Sequence, residues 1–170
     1  RYNSYAPPAV ITGLMVNNVP ITAREAYDGH VILDKDITCT KQLKLNYTER
    51  NFSFTISSCC YFLPLKNKYA FKMEGFDSEW TTVSALERRI TYTNLNPGTY
   101  TFKVKAMNND RIWSKEITSL QITILPPFWA TGWAIALYII AGILLAYGVI
   151  RFIFRIPVSY THLTLPTIRL

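Results

Sequence analysis

The stretch Thr99-Tyr-Thr-Phe-Lys-Val-Lys-Ala106 decides the fold, because apolar and polar side chains alternate along it without interruption. Its even-numbered residues are apolar, and its odd-numbered residues are threonine or lysine. Successive side chains on a strand point to opposite faces, so this period of two predicts a strand with one face in a core and the other in water.

Eight further segments have the composition or the period of short strands. They are residues 10–16, 19–22, 30–33, 43–47, 52–56, 69–73, 90–92 and 120–124. Turn-forming residues such as Asn17-Asn18 and Asn108-Asn-Asp110 separate them, and no segment before Pro126 repeats with the period of a long helix. This spacing predicts an all-β immunoglobulin-like or fibronectin type III-like sandwich over residues 9–125, after a lead-in at residues 1–8.

The turn Leu95-Asn-Pro-Gly-Thr-Tyr100 leads into the deciding stretch. It is similar to the corner at which such sandwiches tie a tyrosine at the start of a strand to nearby backbone. We therefore expect Tyr100 to fasten this turn.

A second feature lies C-terminal to the strands, where residues 128–150 contain no charged side chain. As a helix they would measure about 34 Å, enough to cross a hydrocarbon core of about 30 Å. We predict a transmembrane helix with a basic flank over residues 130–155. Pro126 and Pro127 cannot donate ladder hydrogen bonds, so residues 126–129 are expected to form a short hinge, with Trp129 in the interfacial belt.

Flanking charges predict the orientation of this helix. Arg151 and Arg155 follow the apolar run directly, whereas the nearest basic residue before it is Lys115. The positive-inside tendency then places the C-terminus in the cytoplasm and residues 1–125 outside. Within the helix, Gly142 and Ala146 have the small-xxx-small spacing that allows two helices to approach closely, which suggests a dimer face.

The sequence contains no pattern that indicates catalysis, nucleotide binding or a metal site. Its seven glycines form no phosphate-binding cluster, and basic and acidic side chains are interleaved over residues 1–125, which disfavours nucleic-acid binding. Asp77 and Glu79 are expected in a polar turn rather than as a catalytic pair, and His30 is expected to be structural. We predict a non-enzyme without cofactor or metal.

The three cysteines, Cys39, Cys59 and Cys60, are too few for a disulfide scaffold and have no zinc-site spacing. One bridge from Cys39 to either of the others stays open in an oxidising compartment. Adjacent cysteines within a strand more often act as small core-filling groups.

The aromatic residues allow two interpretations. Flat rings at Trp80, Trp113, Tyr92 and Tyr100 suit a sugar platform, which motivates an alternative function as a membrane-anchored carbohydrate-binding or adhesion sandwich. Alternation places most of them on the inward face, which favours core packing, and Trp80 is expected to close over the core.

Several motifs, in this order, resemble the triple-tyrosine (Y_Y_Y) domain. They are Tyr69-Ala-Phe-Lys-Met-Glu-Gly-Phe-Asp-Ser-Glu-Trp80, Tyr92-Thr-Asn-Leu-Asn-Pro-Gly-Thr-Tyr-Thr-Phe-Lys-Val104, Asn108-Asn-Asp110, Trp113-Ser114 and Pro126-Pro-Phe-Trp129. The resemblance covers about residues 43–129. Its motif and core residues are Tyr69, Gly75, Phe76, Trp80, Tyr92, Pro97, Gly98, Tyr100 and Trp113.

This resemblance implies a role in signal transduction. In that family the domain is the last periplasmic module of hybrid two-component sensors and related regulators in Gram-negative bacteria. It implies an upstream β-propeller that binds a ligand, and a helix in the inner membrane that passes the signal to a cytoplasmic histidine kinase. The intact receptor is expected to be a homodimer, with Pro126, Pro127 and Trp129 as its coupling hinge.

The chain also departs from the family pattern. Arg111 stands where the family commonly has glycine, and Phe71 stands where it commonly has tyrosine. Propeller and kinase sequences are absent from this chain, and Arg1 is not preceded by an export signal, so we expect a fragment. Residues 156–170 contain two prolines and no heptad pattern, and they resemble sequencing-adapter read-through, so we expect this tail to be non-native.

Overall fold

The computed structural model describes residues 6–58, 67–108 and 110–155. The chain divides after Pro127 into a β-rich unit and a helical unit. The described strands are β1 (Ala9–Val16), β2 (Val19–Pro20), β3 (Ala26–Tyr27), β4 (His30–Val31), β5 (Gln42–Leu45), β6 (Phe52–Ser58), β7 (Lys68–Glu74), β8 (Thr81–Ser84), β9 (Arg89–Tyr92), β10 (Gly98–Met107) and β11 (Thr118–Ile124).

Two sheets form a β-sandwich, as the alternation predicted. One has the strand order β2-β1-β6-β9, and the other has the order β5-β11-β10-β7-β8. Neighbouring strands are antiparallel except β5 and β11, which run parallel. Strands β3 and β4 form a separate hairpin.

The core lies between the inward faces of the two sheets. Phe102, at the centre of β10, is fully buried and pairs with Leu120 on one side and Met73 on the other. Its ring stacks on Phe54 of the opposite sheet, with ring centroids 4.8 Å apart. The inward faces predicted by alternation on β6, β10 and β11 are therefore confirmed.

Some predicted strands are shorter in the structure. Residues 19–22 and 30–33 each contribute only two strand residues, although Ile32 and Leu33 are buried. Tyr47 leaves the strand pattern and begins a 3₁₀ turn, Tyr47–Glu49. A second 3₁₀ turn, Ile37–Cys39, starts at Asp36, whose Oδ1 accepts hydrogen bonds from the backbone and hydroxyl of Thr38.

Arg111 adopts a left-handed backbone conformation, with φ of 64°. Asn108 stabilises the turn that contains Arg111. Its Oδ1 accepts hydrogen bonds from the backbone N–H groups of Asp110 and Ile112 at 3.0 and 2.9 Å. The side chain of Arg111 is exposed. The free-energy cost of this conformation therefore comes from the left-handed backbone of a residue that has a Cβ, and not from side-chain packing. This explains why a glycine is the expected residue at this position.

Replacing Arg111 with glycine is expected to stabilise the sandwich by about 1 kcal/mol, because glycine relieves the left-handed strain. Urea unfolding followed by tryptophan fluorescence measures the change. Arg111→Ala is the matched control, since it removes the same side chain but keeps a Cβ. An equal stability of the two variants would show that the backbone carries no strain.

The helical unit begins with a 3₁₀ turn, Phe128–Ala130, followed by α1 (Gly132–Arg155). The helix starts two residues later than residue 130 because Thr131 closes the turn. Its hydroxyl donates to the Phe128 carbonyl at 2.6 Å, and its own carbonyl accepts the first helical bond from Ile135. The 24 residues of α1 include an 18-residue segment whose mean hydropathy is typical of membrane spans, so the helix is long and apolar enough to cross a membrane.

Other sequence predictions concern exposed or undescribed parts of the chain. Gly142 and Ala146 are both exposed on α1, and pairing of two helices through them stays a prediction. Cys39 is an exposed free thiol. Cys59, Cys60 and residues 156–170 lie outside the described residues.

Candidate coupling site

The three tyrosines of the predicted motif each have a hydrogen-bonded hydroxyl. Tyr69 of β7 donates to Ser58 Oγ of β6 at 3.4 Å, which joins the two sheets. Tyr92 of β9 donates to Asp77 Oδ2 at 2.8 Å, and Asp77 follows β7 in the opposite sheet. Two of the three hydroxyls therefore fasten one sheet to the other.

Asp77 is the centre of the second connection. The same Oδ2 also accepts a hydrogen bond from the backbone N–H of Met73 at 2.8 Å, so one carboxylate holds both the end of β7 and the edge strand β9. Burial, and then the bond to the Asp77 carboxylate, raise the pKa of Tyr92 above its ordinary value. The hydroxyl therefore stays protonated as a donor, and the Asp77 carboxylate joins the two sheets.

Tyr100 fastens the turn before β10, as predicted. Its hydroxyl donates to the Asn96 carbonyl at 2.9 Å. Gly75 makes room for the ring: its φ is 93°, and a Cβ there would lie 3.1 Å from Tyr100 Cδ1. Leu95 is fully buried beneath the turn, while Pro97 is exposed.

Two motif residues, Trp80 and Phe76, are more exposed than the sequence predicted. Trp80 does not close over the core: it is 37% exposed, and its ring packs on Lys105, whose Nζ lies 4.5 Å from the ring centroid. The prediction was wrong because Trp80 lies in the turn before β8, where the two-residue period does not apply. Phe76 is 56% exposed, although its ring makes an edge contact with Tyr92 at 5.9 Å.

Two cation–π contacts lie on the outer face of the larger sheet. Lys105 Nζ is 4.5 Å from the ring centroid of Trp80 and 4.8 Å from that of Trp113. Ala70, the cross-strand partner of Lys105, is 1% exposed, although the two-residue period of β7 puts it on the face opposite to the buried Tyr69 and Met73. The tryptophans that motivated the glycan-binding alternative are thus engaged in packing on Lys105, and no local pattern of residues indicates this contact.

A hydrogen bond joins the first residues of β1 and β11, which are the first and last strands of the sandwich. The hydroxyl of Thr118, which opens β11, donates to the carbonyl of Ala9, which opens β1. At the other end of β11, the N–H of Leu125 donates to the Leu45 carbonyl at 2.9 Å. Seven residues of strand, about 20 Å, separate the two attachments. Sequence reasoning missed the first tie because its partners are 109 residues apart.

Strand β11 leads directly into the predicted hinge. Ile124 is buried and paired with both Gly98 and Leu45, whereas Pro126 is exposed. Pro127 is buried and ends the β-rich unit. Neither proline has an N–H to extend the ladder, so the sheet ends here as expected.

Among the described residues, no group of three or more His, Cys, Asp or Glu side chains is placed to hold a metal ion. The polar side chains described above are engaged in bonds that connect strands. The arrangement is therefore that of a cross-linked sandwich whose last strand continues into an apolar helix.

Comparison with known proteins agrees with this architecture. The family model of the Y_Y_Y domain matches residues 60–125. The chain is 36% identical over 138 residues to histidine kinase P4 of Formosa agariphila. This match covers 80% of the chain and 10% of that protein, so the chain spans about a tenth of the curated relative.

Solved structures of similar sequence are extracellular domains from B. thetaiotaomicron. The extracellular domain of the putative one-component system BT4673 is 32% identical, with a TM-score of 0.64, over 74% of this chain and 16% of that one. The extracellular domain of the putative hybrid two-component system BT3049 is 30% identical, with a TM-score of 0.55, over 71% and 15%.

Proposed function

We propose that this chain, which contains a Y_Y_Y domain, is the non-catalytic transmitter module of a two-component sensor. In this proposal an upstream ligand-binding propeller acts on the sandwich, and α1 carries the change across the inner membrane to a cytoplasmic histidine kinase. Kinase activity then belongs to a part of the receptor outside this chain. The relatives with extracellular and histidine kinase names support this assignment.

The observation that carries the proposal is the path of β11. This strand is fastened at its start to the first strand of the sandwich, is paired on both edges, and continues through Pro126 and Pro127 into the apolar unit. A displacement applied at β1 therefore has a hydrogen-bonded route to the strand that leads to the helix. The cross-sheet tyrosines support the same role, because a sandwich that deforms easily would dissipate the movement.

The proposed topology places the sandwich in the periplasm. Arg151 and Arg155 form the basic end of α1, and the guanidinium of Arg151 lies 5.8 Å from the ring centroid of Tyr147. Basic residues favour the cytoplasmic side. In the intact receptor we propose a homodimer, in which relative movement of two sandwiches displaces two helices.

A flexible Gly-Ser insertion after Pro127 in the intact receptor is expected to abolish ligand-dependent output, because a flexible linker does not transmit displacement. A reporter gene under control of the receptor measures the output. An insertion of the same length after Asp28, in the exposed turn of the β3–β4 hairpin, is the matched control and should leave output unchanged. Full ligand response after the Pro127 insertion would refute the proposed mechanism.

A further inference from the structure

A polar cavity opens on the outer face of the smaller sheet, beside the turn between β1 and β2. Its volume of about 350 Å³ lies within the range of small-molecule sites, about 300–1,000 Å³. One lining residue, Phe52, has its ring buried in the core. The other lining residues all carry an uncharged amide or hydroxyl, and they are Asn17, Asn18, Asn51, Ser53, Thr91 and Thr93.

Ser53 provides a buried hydroxyl within this lining. It lies on β6 between Phe52 and Phe54, whose rings are in the core, so its own side chain points to the outer face. Ser53 is only 5% exposed, and its hydroxyl makes no hydrogen bond within the described part of the chain. A buried hydroxyl without a partner is unfavourable, and a ligand that bonds to it removes this cost.

The frame of the cavity is held by hydrogen bonds. The Asn51 carbonyl accepts from the Asn17 backbone N–H at 2.8 Å, and Asn51 Oδ1 accepts from the backbone N–H of Asn94 at 2.9 Å. Asn17 Nδ2 donates to the Thr48 carbonyl at 3.2 Å and to the Tyr27 hydroxyl at 3.3 Å. Within the described residues these bonds leave Asn51 Nδ2 as a donor and Asn17 Oδ1 as an acceptor. Both groups are therefore fixed in position before a ligand binds.

We propose that this cavity binds a small, neutral, polyhydroxylated compound of the size of a monosaccharide. Each ligand hydroxyl can donate and accept, so neighbouring hydroxyls can pair with the amide and hydroxyl groups of the lining. No ionisable side chain lines the cavity, so a charged ligand would lose hydration without gaining a counter-charge. No exposed aromatic face lines it either, so binding rests on hydrogen bonds, and we expect a dissociation constant in the millimolar range.

This site goes beyond the proposed signalling function, because its lining contains no residue of β11 or of the hinge. Its binding is measured without any signalling readout. The outcome of the test therefore does not depend on the transmitter proposal.

An NMR titration of the ¹⁵N-labelled full chain, held in micelles of a detergent without a sugar headgroup, tests the proposal. D-glucose, D-galactose and D-mannose are added in separate titrations. We expect saturable shifts of the side-chain amide resonances of Asn18 and Asn51 with at least one of these sugars. The uronate that corresponds to the bound sugar should bind more weakly, because its charge has no partner in the lining.

Ser53→Ala is expected to weaken binding about fivefold or more, because the ligand loses one hydrogen bond. It should not lower the stability to urea, since the hydroxyl has no partner to lose. Ser57→Ala is the matched control: Ser57 lies on the same strand and the same face but does not line the cavity, so affinity should stay unchanged. Absence of saturable shifts with all three sugars, unchanged affinity in Ser53→Ala, or equal binding of the uronate would overturn the assignment.

Discussion

Replacing Phe102 with alanine is expected to destabilise the sandwich by about 3–5 kcal/mol. The side chain is fully buried on the central strand β10 and contacts both sheets. Its ring stacks on Phe54 and lies 6.2 Å from Tyr92 and 6.3 Å from Phe71, measured between centroids. The variant loses both the transfer free energy of the ring and the contacts of every neighbour that cannot close the cavity.

Urea unfolding of the chain in micelles, followed by tryptophan fluorescence, measures this loss. Thr101→Ala is the matched control, because Thr101 is the next residue on the same strand and points to the opposite face. It should change stability by no more than about 0.5 kcal/mol. Equal effects of the two substitutions would contradict the assigned inward face of β10.

Replacing Asp77 with alanine is expected to cost about 2–4 kcal/mol, because two donors lose their acceptor in partly buried surroundings. These are the Met73 backbone N–H and the Tyr92 hydroxyl. Tyr92→Phe removes only the second bond and should cost less. A double-mutant cycle between the two positions should give a coupling energy of about 0.5–3 kcal/mol, and additive effects would show that the bond contributes nothing.

The pH dependence of the same variants provides a separate check. The pKa of Tyr92 is raised by folding, so the unfolded chain releases this proton at a lower pH than the folded chain does. The stabilisation is therefore complete below about pH 10 and is lost as the pH rises further. The stability difference between wild type and Tyr92→Phe should shrink above this pH, and a constant difference would contradict the buried bond.

The strands and the tyrosine corner could be predicted because their signals are local. The alternation at residues 99–106 identifies a strand without knowledge of its partners. The donor and the acceptor of the corner hydrogen bond, Tyr100 and Asn96, are only four residues apart in the chain. The inward faces followed from the same period. These features depend on residues within a few positions of one another.

Other contacts could not be predicted because the sequence does not show which strands become neighbours. Trp80 reaches Lys105 only because β7 lies between β8 and β10, and Thr118 reaches Ala9 only after the whole sandwich has closed. The contact between His30 and Glu49 likewise joins strand β4 to the 3₁₀ turn before β6. No local pattern in the sequence indicates any of these three contacts.

The pairing of β11 has a mechanical consequence. Its hydrogen bonds to β10 on one edge and to β5 on the other run across the strand axis. A pull along β11 from its C-terminal end would therefore load these bonds in shear and together, instead of opening them one at a time as in unzipping. The strand should resist extraction, and a force arriving at Ile124 is shared by both of its neighbours before any single bond breaks.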